Sequence, residues 1–374
     1  MLARSNIPVD SPGVFIKQEL DARGWSQRDL AFILGQTEQQ LNPLLSGKRA
    51  ITPDMARLLG DAFDVAPQFF LNLQAEHDLQ NAKRPDPAVK KRAELQSQFP
   101  VRDMIRRGWI KDGEASLLQL QMKRFFDISS DAEIREIAFA AKRTHYDQTP
   151  PHQLAWVYRV RQLAKQISVG PFKSEQLRDR LPRLRSLMID PEAVHLVPAT
   201  LAECGVRFAL VEVLPNAKID GVCTWLDDQS PVIGMSTLYD RIDNFWFVLR
   251  HEIEHILQGH GKNSIGMIDD LSGENSLETA GNNEEAIANA AAAEFCVPLK
   301  KMDSFYARKH PYFSERDVIG FASLMGVHPG IVVGQLQKRM KRYDYLRKHQ
   351  VPVRRYLTQE AISDGWGTAV TTEL

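Results

Sequence analysis

The spacing of apolar side chains changes along this chain between helical and strand periods. Over residues 10–78, apolar positions recur at helical spacing between polar caps, which predicts a small all-helical unit. Over 205–213, 221–226 and 232–235, short apolar or alternating runs predict three strands of a small sheet. Helical spacing returns over 242–257. The chain is therefore predicted to be multidomain and mainly α, with a small β-sheet.

Two capping boxes stand close together near the N-terminus. One predicted helix opens at Ser26 and ends at Gly35, and the next opens at Thr37 and ends near Gly47. With a preceding helix over 14–23 and a following one, they predict a helix-turn-helix unit. The predicted core of this unit is apolar and comprises Leu20, Leu30, Ile33, Leu41, Leu44, Met55 and Leu59.

Shifts in composition divide the chain into five predicted parts. They are an all-α helix-turn-helix domain at 1–80, a linker at 81–93, a helical middle segment at 94–192, an α+β core at 193–300 and a C-terminal helical segment at 301–374. The middle segment has helix-compatible stretches at 113–125, 130–143 and 151–168. The C-terminal segment is predicted to contain two short helices around Gly326.

The motif HEIEH begins at His251, in the helical run over 242–257 that Gly259 is predicted to cap. Histidines four residues apart lie on one face of a helix, so His251 and His255 can share a metal ion. Glu252 is then placed to take a proton from a metal-activated water and pass it to a leaving amine. The motif therefore predicts a zinc-dependent peptidase with Glu252 as its catalytic residue.

A catalytic zinc site usually has three protein ligands, so the motif is one ligand short. The metzincin spacing would need a glycine and a histidine where this chain has Gln258 and Gly261, and His260 is one residue out of place. The other solution is a glutamate on a following helix. An alanine-rich helical run begins at Asn283 and supplies this candidate.

Glu285 and Asn289 share one face of that run, because they are four residues apart. Glu285 is the predicted third ligand, and Asn289 is expected to support His251 or His255 by a hydrogen bond. Glu284 points about 100° away and is the alternative, a solvated acid at the helix start. Ligands of these types predict one Zn²⁺ per chain.

The string PVIGMSTLYDRIDNFWFVLRHEIEH, followed by EEAIANAAAAEF and later by GVHPGIVVGQLQ, resembles the ImmA/IrrE family of bacterial zinc metallo-endopeptidases over roughly 195–340. The resemblance implies a zincin-like fold, with His251, His255 and Glu285 as ligands and Glu252 as acid/base. It also implies that the substrate is a transcriptional repressor. Glu254 is a departure, because the family commonly has glycine at that position.

Two further features concern substrate binding. The strand over 232–235 is predicted to be an edge strand that holds an extended peptide by β-augmentation. His328 is a candidate for stabilising the transition state, although a histidine before Pro-Gly more commonly forms a turn or a helix cap.

The string SPGVFIKQELDARGWSQRDLAFILGQTEQQLNPLLSGKRAITPDMARLLGDAF is similar to the XRE class of helix-turn-helix domains, which are lambda-repressor-like, and especially to HigA-type antitoxins. In that class the second helix of the pair enters the major groove. The resemblance thereby nominates base-contacting and phosphate-contacting residues. These DNA-binding candidates are Gln27, Thr37, Glu38, Gln39, Gln40, Asn42, Lys48 and Arg49.

Two features oppose strong DNA binding. Residues 1–80 carry seven Lys/Arg against ten Asp/Glu, and phosphate neutralisation drives such binding. Pro43 lies inside the predicted recognition helix, where it removes a backbone donor. A helical docking or dimerisation module is the alternative.

Basic residues gather in two other stretches. Residues 83–107 contain eight basic and three acidic residues, and residues 338–355 contain eight basic residues and one acidic residue. A solvated surface is the simpler interpretation of both stretches.

Bulk composition is that of a globular protein, with 43 % hydrophobic and 25 % charged residues. No apolar N-terminal stretch resembles a signal peptide and no run of 18 apolar residues occurs, so we expect a cytoplasmic protein without a membrane partner. Cys204, Cys223 and Cys296 lack metal-site spacing and are predicted to be reduced structural thiols.

The sequence thus predicts a zinc endopeptidase fused to a helix-turn-helix unit, with a repressor as substrate and DNA as a partner. A second copy of the chain is a further expected partner, through a homodimer. The alternative is an antitoxin-like autorepressor that binds operator DNA and a toxin and uses the zinc fold as a sensor or scaffold. A stress regulator with a structural zinc is a third hypothesis.

Overall fold

The chain divides into two units, with the boundary between Pro87 and Ala88, in the computed structural model. The structure describes residues 11–128, 130, 151–262, 267–269 and 283–367. Of the helix predicted over 130–143, residues 131–143 lie outside the described residues.

The described part of the N-terminal unit is all-helical, as predicted. Its helices are α1 (Pro12–Arg23), α2 (Gln27–Ile33), α3 (Glu38–Leu45), α4 (Pro53–Phe63) and α5 (Pro67–Asn81). Both capping boxes are confirmed. The hydroxyl of Ser26 accepts from the Asp29 N–H at 3.1 Å, and the Asp29 carboxylate accepts from the Ser26 N–H at 2.7 Å. Thr37 and Gln40 make the same exchange at 3.3 and 3.0 Å, so α3 starts where the sequence predicts.

Six of the seven predicted core residues of this unit are confirmed. Each is at most 5 % exposed: Leu20, Leu30, Leu41, Leu44, Met55 and Leu59. The prediction that Ile33 belongs to this core is wrong, because Ile33 is 43 % exposed. The residue before it, Phe32, is 86 % exposed, so this side of α2 faces solvent. The inward face of α2 instead continues from Leu30 to Leu34, four residues later.

The second unit contains the remaining helices of the described chain. They are α6 (Pro87–Gln98), α7 (Val101–Arg106), α8 (Ala115–Phe125), α9 (Pro151–Ala164), α10 (Ser174–Ser186), α11 (Val197–Ala202), α12 (Ile242–Gln258), α13 (Asn283–Cys296), α14 (Leu299–Lys309), α15 (Glu315–Met325), α16 (Pro329–Met340) and α17 (Arg354–Glu360), with 3-10 turns at Leu187–Ile189, Pro191–Leu196 and Arg347–His349. The predicted linker at 81–93 is wrong in its second half, because α6 begins at Pro87. Proline suits a first helical turn, and the alanine, lysine and arginine that follow are good helix formers.

The three predicted strands are confirmed as β1 (Arg207–Val211), β2 (Gly221–Trp225) and β3 (Pro231–Met235). Two short strands that the sequence pattern did not predict, β4 (Met267–Asp269) and β5 (Ile362–Asp364), complete a mixed sheet in the order β4-β2-β3-β1-β5.

Strand β3 lies inside the sheet. It pairs antiparallel with β2, where Ile233 lies opposite Cys223, and parallel with β1, where Gly234 lies opposite Ala209. Both of its hydrogen-bonding edges are therefore occupied. The prediction of an edge strand over 232–235 is wrong, and β4 and β5 are the edge strands of the described sheet.

The sheet separates two apolar cores, because successive side chains of a strand point to opposite faces. Phe208 and Leu210 of β1 belong to the core shared with α12, which includes Leu249. Ala209 and Val211 belong to the core shared with α8 and α9. Residues from the predicted middle segment thus share a core with the sheet, a placement that the sequence did not predict.

The C-terminal segment is helical over most of its described length, as predicted, but it also adds strand β5 to the sheet. Asp364 of β5 is 1 % exposed and binds three side chains from the middle segment. Its carboxylate accepts from Arg107 at 3.0 Å, from the Trp109 indole at 3.1 Å and from Arg159. Paired charges and hydrogen bonds offset the cost of burying this carboxylate.

The prediction that the three cysteines carry free thiols is confirmed, and all three are buried. Burial raises the pKa of the Cys296 thiol to about 12, which keeps it protonated.

Among the described residues, no single helix is long and apolar enough to cross a membrane. Helices α15 and α16, which are bent by 116° relative to each other, meet this criterion of length and composition only as a pair.

Candidate metal centre and helix-turn-helix surface

Helix α12 carries the HEIEH motif on its buried side. The helix ends at Gly259, whose φ of 75° confirms the predicted left-handed cap. His251, Glu252 and His255 are all 0 % exposed, because the apolar stripe of α12 packs against β2 and β3 and draws the motif into the interior.

The two motif histidines and Glu285 converge on one point. The Nε2 atoms of His251 and His255 lie 2.9 Å apart. The Glu285 carboxylate oxygens lie 3.3 Å from Nε2 of His251 and 3.5 Å from Nε2 of His255. The structure therefore brings together the three ligands that the sequence predicts, and these are grouped as a candidate metal site among the described residues.

Helix α13 places Glu285 there through its small side chains. Ala288 and Ala292 are both 0 % exposed, and Glu285 lies three residues before the first of them on the same face. Glu284 is on a different face, with its side chain 45 % exposed. The spacing argument for Glu285 over Glu284 thus agrees with this geometry.

The donor set fits a zinc ion. Imidazole nitrogen and carboxylate oxygen bind zinc at about 2.0–2.2 Å, and tetrahedral geometry separates such ligands by about 3.3 Å. The three separations here are 2.9, 3.3 and 3.5 Å. Glu285 is 17 % exposed at its side chain, whereas both histidines are fully buried, so the site opens on the carboxylate side.

Glu252 lies beside the site and against the sheet. Its carboxylate packs over the backbone of β2 at Gly221, where the strand carries no side chain. A buried carboxylate next to a metal site is a suitable proton carrier, because it holds a fixed position and few waters compete with it.

Glu254, the departure from the ImmA/IrrE pattern, is held by neighbours on its own helix. Its carboxylate accepts from Arg250 at 2.7 Å and from Gln258 at 2.7 Å. Burial raises the pKa of Glu254. The hydrogen bonds from Gln258 and Arg250 and the charges of Arg250 and Arg178 together lower it by more, so the net shift is downward. The carboxylate therefore stays ionised and is neutralised by Arg250.

His255 has a neighbouring side chain that the sequence did not predict. Asn289 is half-buried, and among the described residues it has no hydrogen bond to His251 or His255. The ring of His260 lies next to His255 instead, with the two Nδ1 atoms 2.9 Å apart. The helical pattern could not reveal this contact, because His260 lies beyond the Gly259 cap, where the chain reverses.

His328 forms a helix cap. Its Nδ1 accepts from the Gly330 N–H at 3.1 Å at the start of α16, and its backbone N–H donates to the Met188 carbonyl at 2.8 Å. Burial and the nearby His349 lower the pKa of His328, so its ring is neutral and suited to accept this bond. Nδ1 is engaged in capping, and the predicted transition-state role therefore has no support from this arrangement.

The DNA-binding candidates on α3 fall into two groups. Thr37 and Gln40 are engaged in the capping box, and Glu38 pairs with Arg28 at 2.9 Å. Gln39 and Asn42 are exposed. Pro43 does not end α3, which continues to Leu45.

A shallow depression of about 310 Å³ lies on the surface of this unit between α1, α2 and α3. Its lining brings together three predicted DNA contacts, Gln27, Asn42 and Lys48, with Lys17 and Ser46. Two lysines and three uncharged polar side chains can bind phosphate oxygens. Arg49 is exposed nearby in sequence and does not line it.

Several residues of the two basic stretches bind within the fold. In the first, Arg107 donates to the Glu212 carbonyl at 3.0 Å, besides Asp364. In the second, Arg339 binds Asp303 and Lys348 binds Glu315 at 2.6 and 2.7 Å. The contacts of Arg339 and Lys348 are surface ion pairs, whereas Arg107 is largely buried and is therefore not part of a solvated surface.

A helix-turn-helix family model matches residues 16–70. The chain is similar to Virulence-associated protein A' of Dichelobacter nodosus, 41 % identical over 69 residues, which are 18 % of this chain and 60 % of that protein. It is also similar to the uncharacterized HTH-type transcriptional regulator YddM of Escherichia coli strain K12, 36 % identical over 73 residues, 20 % of this chain and 78 % of that protein.

The matched residues 16–70 span α2, α3 and α4, so the comparison and the structure agree on the same unit. The candidate metal site of the second unit lies outside the family match. Through its N-terminal unit, the chain belongs to the helix-turn-helix family of transcriptional regulators.

Proposed function

We propose that the second unit is a zinc-dependent endopeptidase and that the helix-turn-helix unit directs it. The observation that carries this proposal is the convergence of His251, His255 and Glu285 on one point, with Glu252 buried beside them. A structural zinc site usually has four protein ligands, whereas a three-ligand site keeps one position for water or substrate.

The residues have separate roles in this proposal. His251, His255 and Glu285 hold the metal, which when bound supplies polarisation of a water molecule and of the peptide carbonyl. Glu252 takes the proton from the attacking water and delivers it to the leaving nitrogen. Its full burial excludes bulk water from this transfer.

The proposed substrate is an extended segment of a transcriptional repressor. The ImmA/IrrE-like strings imply this class of target. Since β3 is interior, the strand proposed to receive the peptide is β4, an edge strand of the described sheet. The helix-turn-helix unit would bring the peptidase to DNA on which such a repressor sits, or to the repressor itself.

The test compares two zinc-loaded proteins, the wild type and Glu252→Gln. The substitution keeps the size of the side chain and replaces its carboxylate by an amide that cannot take up the proton. Each is incubated with a bacterial lysate, and new protein N-termini are identified by mass spectrometry. We expect cleavage products in the wild-type sample that Glu252→Gln does not produce, with about one zinc per chain in both. Identical product sets would refute the proposed peptidase activity. They would favour the alternative, an antitoxin-like regulator that binds operator DNA.

A further inference from the structure

His260 touches a proposed metal ligand without belonging to the metal cluster. Its Nδ1 lies 2.9 Å from Nδ1 of His255, and the two ring centroids are 5.2 Å apart with the planes tilted by 55°. At this distance one ring nitrogen donates a proton and the other accepts it.

The chain reversal after α12 puts His260 in this place. Gly259 and Gly261 on either side have φ angles of 75° and 77°, which L side chains rarely adopt. The N–H of His260 donates to the His255 carbonyl at 2.9 Å, and its own carbonyl accepts from the Trp225 indole at 2.8 Å. Both backbone groups are held, so the ring folds back over the last turn of α12.

The direction of the hydrogen bond follows from the other ring nitrogen of His255. Its Nε2 faces Nε2 of His251 and the carboxylate of Glu285, where a metal ligand needs a lone pair. The ring proton of His255 then resides on Nδ1, and Nδ1 of His260 is the acceptor. Nε2 of His260 carries its own proton and faces Glu284 at 3.7 Å.

We propose that His260 is a positioning residue, which fixes the ring orientation and the tautomer of His255 for metal binding. This inference rests on the proposed metal centre. The alternative role for His260, as a ligand itself, is opposed by its geometry, because its Nδ1 is directed at the far side of the His255 ring from the cluster. Asn289, which the sequence nominated for the same support, makes no such contact within the described chain.

The test measures zinc affinity of the full chain by competition with a chromophoric chelator. We expect His260→Leu to bind zinc about 10- to 100-fold more weakly, the usual cost of losing such a support. His260→Asn, whose side-chain oxygen accepts near the position of Nδ1, should recover most of this loss. The matched control is His152→Leu, which removes a partly buried histidine that lies 3.3 Å from Asp103 in the same unit, and it should stay within about twofold of the wild type.

A second readout distinguishes positioning from loss of packing. In metal-free protein with ¹⁵N-labelled histidine, NMR should find the His255 ring with its proton on Nδ1 in the wild type and in His260→Asn. In His260→Leu we expect a mixture of the two tautomers, because the acceptor that selects one of them has gone.

The outcomes separate the two proposals. If the wild type binds about one zinc and His260→Leu binds it as tightly with the same tautomer, the positioning role is overturned and the metal centre stands. If the wild type binds no zinc after loading, both fall. Where His260→Leu does not fold, as judged by circular dichroism, His260→Asn decides: near-wild-type affinity supports the role, and a tenfold loss refutes it.

Discussion

Gly221 and Glu252 share one small space: a methyl group built on Gly221 would overlap the Glu252 carboxylate oxygen Oε1. The backbone of Gly221 does not adopt a left-handed conformation, so conformation alone does not require glycine there. The missing side chain on β2 instead provides the room in which the proposed catalytic carboxylate lies.

Gly221→Ala is therefore expected to displace the Glu252 carboxylate. Zinc binding should stay near one per chain, because the three ligands lie on α12 and α13, whereas cleavage should fall at least about tenfold, since small misplacements cost large factors in rate. The rate of the cleavage found with the lysate and the bound zinc are both measured. Gly320→Ala is the matched control, because apart from its chain neighbours and its own helix backbone no atom lies within 4 Å of the added Cβ. A wild-type rate in Gly221→Ala would show that the carboxylate moves without consequence.

Glu254 should matter for stability and leave the metal site unchanged. It is 8 % exposed and bonded to Arg250 and Gln258, so Arg250→Met leaves a buried carboxylate without its charge partner and is expected to cost about 3 kcal/mol of unfolding free energy. Zinc affinity should be unaffected in Glu254→Gln. Denaturant melts and zinc titrations of both variants measure this, and a loss of zinc in Glu254→Gln would place this carboxylate at the site.

The same group predicts a pH dependence. The pKa of Glu254 is lowered in the folded protein from its ordinary 4.5, so its stabilising contribution is present above pH 4.5 and is lost as the pH falls through the folded pKa. Thermal melts of the wild type and Glu254→Gln should differ at pH 7 and converge as the pH falls through the lowered pKa of the folded Glu254. A difference that stays constant through this range would show that the charge of Glu254 contributes nothing.

Local signals in the sequence were sufficient to predict the helix starts and to predict that His251, His255 and Glu285 lie together. Ser26 and Thr37 mark helix starts because a cap needs only neighbours within three residues, and His251 and His255 share a face by helical geometry alone. Glu285 needed one further step, its spacing along a second helix. Such features depend on distances of a few residues, which a sequence displays directly.

Features that depend on distant chain segments were either not predicted from the sequence or predicted wrongly. Strand β5 is three residues long, pairs with β1, and is held in place by Arg107 and Arg159, which bind Asp364 from more than 200 residues away. The interior position of β3 depends on which strands flank it, which alternation does not specify. Helical spacing alone points to Asn289, whereas His260 reaches His255 through a chain reversal that helical spacing does not describe.

On the helix-turn-helix unit, Gln40 and Asn42 are expected to differ although both are polar residues of α3. Gln40 accepts from the Thr37 N–H, so Gln40→Ala should cost about 1 kcal/mol of stability, as the loss of a helix cap does. Asn42 is exposed and lines the surface depression, so Asn42→Ala should lower affinity for a duplex selected from random DNA by the full chain. The expected loss is about 1–3 kcal/mol against the selected sequence. Equal effects of both variants on affinity would place Gln40 in the interface.

Lys48 should act on phosphates and contribute little to sequence choice. It lines the same depression, and Lys48→Ala is expected to weaken binding to selected and unselected duplexes alike. The slope of log affinity against log salt should fall by about one. Lys83→Ala, outside residues 16–70, is the control for a general loss of charge. A sequence-selective loss in Lys48→Ala would instead assign it a base contact.

Metal content distinguishes the assignments on α13. Glu285 lies within 3.5 Å of both ligand histidines, so Glu285→Ala and His251→Ala should lose zinc or bind it far more weakly than the wild type, which should hold about one ion per chain. Glu284→Gln should keep its zinc, because the Glu284 side chain is 45 % exposed and, of the histidines at the site, approaches His260 at 3.7 Å. Asn289→Ala should also keep it, because Asn289 bonds neither histidine among the described residues. Mass spectrometry measures the metal content of the purified variants. Zinc retained in Glu285→Ala but lost in Glu284→Gln would show that Glu284, and not Glu285, is the third ligand.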